Sequence, residues 1–302
     1  MPKFNSFLMV DWSAANKPTQ GSNSIWLGLT EHRRNGCVLA KLENPPTRNE
    51  ATTRIIELAS QTLRRGRRMI IGFDFPFGFP TGTAERLGFN GLAWRKLWQM
   101  LEDRIIDGED NQNNRFDVAE ALNVKLTGEA FPFWGLVKEE NRANLVRRGR
   151  RAHGPQDLAE RRFCDIRVPS AQPVWKLAGA GSVGGQALTG IPRVWQIRKS
   201  PELAFETQIW PFETGFRFDP TASIVLAEVY PSLVSPKKLK GRPKDAGQVA
   251  AIGRALAKLD LEGKLAPLFG GDADLPAKIR HDIETEEAWI LGVTRENVLT
   301  AT

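Results

Sequence analysis

Residues 67–80 read RRMIIGFDFPFGFP: an apolar run from Met69 to Phe73, then one carboxylate, then Pro76 and Pro80. The run predicts a buried strand with Asp74 at its end. A buried carboxylate without a partner is strongly disfavoured, so Asp74 must be protonated, hydrogen-bonded, paired with a cation or bound to a metal. The surrounding pattern narrows the choice.

Three strands and a helix precede this segment. FNSFLMVDWSAANK, NSIWLGLTEH and GCVLAKLEN read as strands with short polar connections, which suits an antiparallel meander. NEATTRIIELASQTLRRG then places Ile55, Ile56, Ala59 and Leu63 on one helical face, with Gly66 as a stop. Beyond Pro80 the pattern is irregular. Helices are predicted in GLAWRKLWQMLEDRII and NRFDVAEALNVKLT, and PTASIVLAEVYPSL restores a strand from Ile224 to Tyr230. Two helices, KDAGQVAAIGRALAKL and ETEEAWILGV, finish the chain. No internal repeat interrupts this order, so residues 1–302 are expected to form a single domain, with 81–220 as an insertion within it.

Acids recur where the strands end. Alternation puts Asp11 in line with Phe7 and Met9, Asp74 with Ile70 and Gly72, and Glu228 with Ile224, Leu226 and Tyr230. Glu287 lies on a helical stripe with Ile283, Ile290 and Leu291, and Asp245 sits one turn ahead of Val249, Ile252 and Leu256. Asp245 has a second reading as a helix cap after Pro243. Acids gathered this closely repel one another unless a divalent cation neutralises them. Oxygen ligands without His or Cys favour Mg²⁺ or Mn²⁺. Asp11, Asp74, Glu228, Glu287 and Asp245 are therefore the expected metal ligands, and the first four the expected catalytic set. Two such ions about 4 Å apart activate a water and stabilise the leaving oxygen of a phosphodiester.

Other chemistries find less support. Cys37 and Cys164 are far apart, as are His32, His153 and His281, which argues against a zinc cluster, a disulfide framework or a Cys/His nucleophile. The apolar run Phe7 to Val10 is too short for a signal peptide or a membrane span, so a cytoplasmic protein without membrane association is expected. The net charge of +7 is compatible with a polyanionic partner. RRGRRAHGPQDLAERRF concentrates arginine, and Arg147, Arg148, Arg150 and Arg151 are the candidates for a nucleic-acid backbone, set against a merely solvated loop. GAGSVGGQ matches GxGxxG at Gly179, Gly181 and Gly184 but lacks the βαβ context of a dinucleotide site. A helix starting near Gln186 would still let Ser182, Gly184 and Gly185 hold a phosphate with help from Lys176. Trp12 and Trp175 flank the acid and glycine segments and are candidates for base stacking.

The order β-β-β-α-β, with acids on the first strand, at the end of the fourth and on a C-terminal helix, resembles the ribonuclease H-like fold. More narrowly, VDWSA, GFDFPFGFP, AEVYPS and EEAW resemble segments of a bacterial family of predicted nucleases, of the domain of unknown function 429 type. The resemblance covers both ends of the chain and implies an α/β fold: a mixed sheet of three antiparallel strands, a helix and further parallel strands, with a large, mostly helical or irregular insertion. It implies that Asp11, Asp74, Glu228 and an acid of the last helix, here Glu287, form the site, although such families more often carry aspartate at that last position. The expected function is divalent-metal-dependent hydrolysis of phosphodiesters in nucleic acid or nucleotide. Two alternatives stand beside it. One is an actin-like ATP-binding phosphotransferase, with DWSAANK as a phosphate hairpin supplying Ser13 and Lys17, although it lacks the usual glycine after the first aspartate. The other is a catalytically inactive protein that binds nucleic acid or nucleotide.

Overall fold

A computed structural model describes residues 3–138, 140–148, 150–179, 181–235 and 239–294. The N-terminal meander forms as expected. Strand β1 (Ser6–Asp11) pairs antiparallel with β2 (Trp26–Arg33), which pairs antiparallel with β3 (Gly36–Glu43). Helix α1 (Arg48–Arg64), capped by the Thr47 hydroxyl on the Glu50 N–H, then returns the chain so that β4 (Met69–Phe73) lies parallel to β1. Strands β5 (Thr207–Ile209) and β6 (Ile224–Glu228) extend the parallel half, giving a six-stranded mixed sheet of order β3-β2-β1-β4-β6-β5.

The alternation along each strand assigns the two faces. Leu8, Val10, Ile71, Phe73 and Leu226 point to a core shared with α1, α3 (Ala93–Arg104) and α6 (Val183–Lys199). Phe7, Met9, Ile70 and Val225 point the other way, onto α7 (Lys244–Leu261). Each fully buried Leu, Ile or Phe contributes about 1.5–3 kcal/mol relative to exposure, so both faces are driven by apolar burial. Helix α7 approaches β2 closely, and a Cβ at Gly28 would lie 2.9 Å from the Val249 side chain.

Within 81–220, short helices α2 (Thr83–Arg86) and α5 (Phe163–Arg167) and the longer α4 (Arg115–Thr127) join α3 and α6. This stretch also supplies β5 to the sheet edge. The end of the chain departs from expectation. Instead of a helix through ETEEAWILGV, α8 (Ala277–Asp282) runs into a π turn, Ile283–Glu287, and Ala288 takes φ 62°. Ile290 then bridges Glu228 as extended chain. Among the described residues no helix is long and apolar enough to cross a membrane.

Candidate functional site

Parallel pairing of β1 and β4 in the register Val10↔Phe73 brings Asp11 and Asp74 side by side at the two strand ends, on the face that carries Met9 and Gly72. The ends are tied together: the Asp74 N–H donates to the Val10 carbonyl at 3.2 Å, and Asp74 Oδ1 accepts the Trp12 N–H at 2.7 Å. The two carboxyl groups stand close enough to act on each other's titration. Asp245 joins them from the first turn of α7. It does not cap that helix, whose cap residue is Pro243; its Oδ2 accepts the Asn23 N–H at 2.8 Å.

All three aspartates line a pocket of about 870 Å³, within the usual range of small-molecule sites. Burial is the largest cause of a rise in both strand-end carboxyls. It lifts Asp74 to about 7, against the pull of the Trp12 N–H, and lifts Asp11 well above the ordinary range, with the charges of Asp74 and Asp245 adding to the effect. Burial thus favours the neutral form of Asp74 near neutral pH, which answers how its strand tolerates the acid. Among the described residues no three His, Cys, Asp or Glu side chains form a ready-made metal cage.

The other two expected ligands lie elsewhere. Register Phe73↔Glu228 sets Glu228 on the face opposite Asp74, because neighbouring positions along β4 point to opposite sides. There it is buried against Arg162, whose Nη2 and Nη1 reach its two oxygens at 2.6 and 2.7 Å, while the Phe77 N–H donates at 3.0 Å. Glu287 accepts the Thr81 N–H and hydroxyl at 2.8 and 2.9 Å and the Phe163 N–H at 2.7 Å. Glu286 takes the N–H groups of Gly82 and Ala84. These acids satisfy the backbone of the turn after Asp74, and neither Glu228 nor Glu287 lines the pocket.

No family model, curated protein or solved structure matches this chain. The remaining candidates are judged by position. Lys17 is exposed and outside the pocket lining. Arg147 and Arg148 are exposed; Arg150 pairs with Glu160, and Arg151 pairs with Asp157 at 2.6 Å and Glu129 at 2.8 Å. None of the four lines the pocket, so the arginine loop is not a free cationic track beside the aspartates. Lys176 lies with its ammonium 5.7 Å from the Trp134 ring centre and is likewise outside the lining. Trp12 and Trp175 are core residues at 2% and 0% exposure, which removes them as stacking platforms.

The glycine loop does reach the pocket. Helix α6 begins at Val183 rather than near Gln186, and Gly179, Gly181, Ser182 and Gln186 line the cavity. Gln186 Nε2 donates to the Trp12 carbonyl at 2.5 Å, which ties α6 to the segment after Asp11. Gly184 and Gly185 lie beneath the surface, where a Cβ at Gly185 would stand 2.7 Å from the Leu177 carbonyl oxygen, so close packing explains them. Sequence reasoning passed over Arg115, which lines the pocket at 6% exposure. Its only sequence signal is an arginine at the start of a predicted helix, after an asparagine-rich stretch; that no described carboxylate pairs with it is visible only in three dimensions.

Proposed function

We propose that the protein is a divalent-metal-dependent hydrolase of phosphodiesters in nucleic acid or nucleotide, built on a ribonuclease H-like sheet. One observation carries the reading: Asp11 and Asp74 meet at the ends of adjacent parallel strands on the floor of a pocket, with Asp245 facing the same space. The strand order β3-β2-β1-β4-β6, antiparallel then parallel, supports the fold part of the proposal. So does the acid on a C-terminal helix, with Asp245 of α7 taking the role first expected of Glu287.

The donor set fits a hard cation. It is all oxygen, and the raised pKa of the strand-end pair reflects a site in which negative charge is poorly compensated. Asp11 and Asp74 would hold Mg²⁺ or Mn²⁺, with Asp245 close to the same charge; such an ion lowers the pKa of a bound water and stabilises charge on the leaving oxygen. Before binding, the raised carboxyls must give up their protons, so affinity rises with pH through neutrality. The Trp12 N–H fixes Asp74 in place, and the Asn23 N–H does the same for Asp245. Arg162, Glu228 and Glu287 shape the turn that follows Asp74 and take no part in the chemistry. The phosphotransferase alternative loses its lysine, since Lys17 stands outside the pocket.

Hydrolysis of a phosphodiester panel with Mn²⁺ tests the proposal. Wild type and Glu228→Gln are expected to cleave and Asp74→Asn to lose at least about a hundredfold in rate, as for loss of a group stabilising transition-state charge. Undiminished cleavage by Asp74→Asn would place the chemistry elsewhere.

A further inference from the structure

Among the described residues three arginines are buried, and they differ in one respect. Arg48 is neutralised by Asp107, and Arg162 by Asp165 and Glu228. Among the described residues no carboxylate pairs with Arg115: its Nη1 is held by the amide oxygens of Asn16 and Asn113, its guanidinium lies 4.3 Å from the Phe116 ring centre, and its buried Nε has no hydrogen-bond partner. Burial, and next the charge of Arg48, lower its pKa to about 10, while the charges of Glu140 and Asp107 act in the opposite direction without pairing with it, so it remains cationic at neutral pH. A buried, unpaired guanidinium is costly unless an anion joins it.

The same pocket wall carries a second feature suited to an anion. Helix α6, 17 residues long, starts there with Ser182 at its cap position, and the Ser182 side chain makes no capping bond. Arg115 lies against this first turn, since a Cβ at Gly185 would be 3.4 Å from its Nε. The turn presents the positive end of the helix dipole. Gly179 and Gly181, which line the pocket, adopt φ of 93° and 68°, backbone shapes that glycine takes without strain.

We propose that Arg115, Ser182 and the first turn of α6 form a subsite for a terminal phosphate group in the pocket that also holds the aspartates. This deepens the hydrolase reading and rests on it for the nature of the substrate: a mononucleotide, or a nucleic-acid strand whose phosphorylated end is anchored here. A dianionic phosphate has enough oxygens to meet the guanidinium, the hydroxyl and the helix end together.

Titration of inorganic phosphate into the full-length protein at low salt, in EDTA, tests the subsite without metal chemistry. Wild type is expected to bind, and Arg115→Met and Ser182→Asp to bind about tenfold or more weakly, the loss typical of one charge-assisted hydrogen bond. Ser182→Asp should fold normally, because aspartate is a favourable cap, and thermal unfolding of Arg115→Met, which also frees the amide oxygens of Asn16 and Asn113, separates loss of phosphate binding from loss of fold. Asp11→Asn/Asp74→Asn should retain phosphate binding. Retained phosphate binding together with absent Mn²⁺ binding in wild type would reject the hydrolase reading and leave the subsite standing. Equal phosphate affinity in all variants, or none in wild type, would overturn the subsite. Competition then identifies the source: a 5′-mononucleotide competing better than a 5′-phosphorylated dinucleotide points to free nucleotides, the reverse to strand ends. A 5′-hydroxyl dinucleotide competing as well as the phosphorylated one would also overturn it.

Discussion

Asp74 keeps its proton far above the pH at which an exposed aspartate gives it up. Its pKa stands at about 7 in the folded chain against an ordinary 3.8, with burial as the main cause. The folded state therefore binds more protons than the unfolded state between those values, and its stability falls as pH rises through that window. Without divalent ions, Asp74→Asn is expected to flatten part of this fall and to raise Tm by a few °C at pH 8. Thermal unfolding from pH 4 to 8 checks this, and an unchanged profile would show that Asp74 is not held protonated in the folded chain. Glu228 behaves differently. Removing it strands Arg162 beside Asp165 alone, so Glu228→Ala is expected to cost about 3–5 kcal/mol by denaturant unfolding. At this scale Asp11 and Asp74 were legible because period-two alternation needs only the sequence. The misplacement of Glu228 arose because its face depends on the register of β6 against β4, which no local pattern encodes. Arg115 was illegible for a related reason: burial without a partner is a property of the assembled fold.

Helix α6 illustrates how an element positions the site. Its Gly190 packs directly on the Phe75 ring, within the aromatic group of Trp12, Phe73 and Phe77 that follows the two strand ends. Gly190→Ala must push the helix away from that ring, at an expected cost of about 1–3 kcal/mol. Because Gln186 on the same helix holds the Trp12 carbonyl, the substitution should also weaken phosphate binding at the α6 terminus. Equal stability in chemical denaturation would mean that the ring moves freely. The first four strands and α1 were readable because each carries its own periodicity and stop signals. The last predicted helix failed because Glu286 and Glu287 accept backbone N–H groups of residues 81–84, which favours a π turn, and because Ile290 pairs with Glu228. A helical spacing of Ile283, Glu287 and Ile290 was present in the sequence, but these tertiary bonds outweighed it.

Across the whole molecule the charge of +7 does not settle where a polyanion would lie. Arg150 and Arg151 are already neutralised by Glu160, Asp157 and Glu129. Replacing both with Gln is expected to leave the salt dependence of duplex DNA binding unchanged. A slope that falls by about 0.9 per arginine would show that they contact phosphates. One pocket instead brings Asp11, Asp74 and Asp245 together with Arg115 and the start of α6. On the function proposed, the strand-end aspartates exchange a proton for a divalent ion. Calorimetric titration of Mn²⁺ into wild type and Asp11→Asn/Asp74→Asn tests this most directly, in buffers of two ionisation enthalpies so that proton release is read alongside binding. The expected result is binding with proton release in wild type and neither in the double variant. Equal binding by both proteins, or no binding by wild type, would contradict the claim.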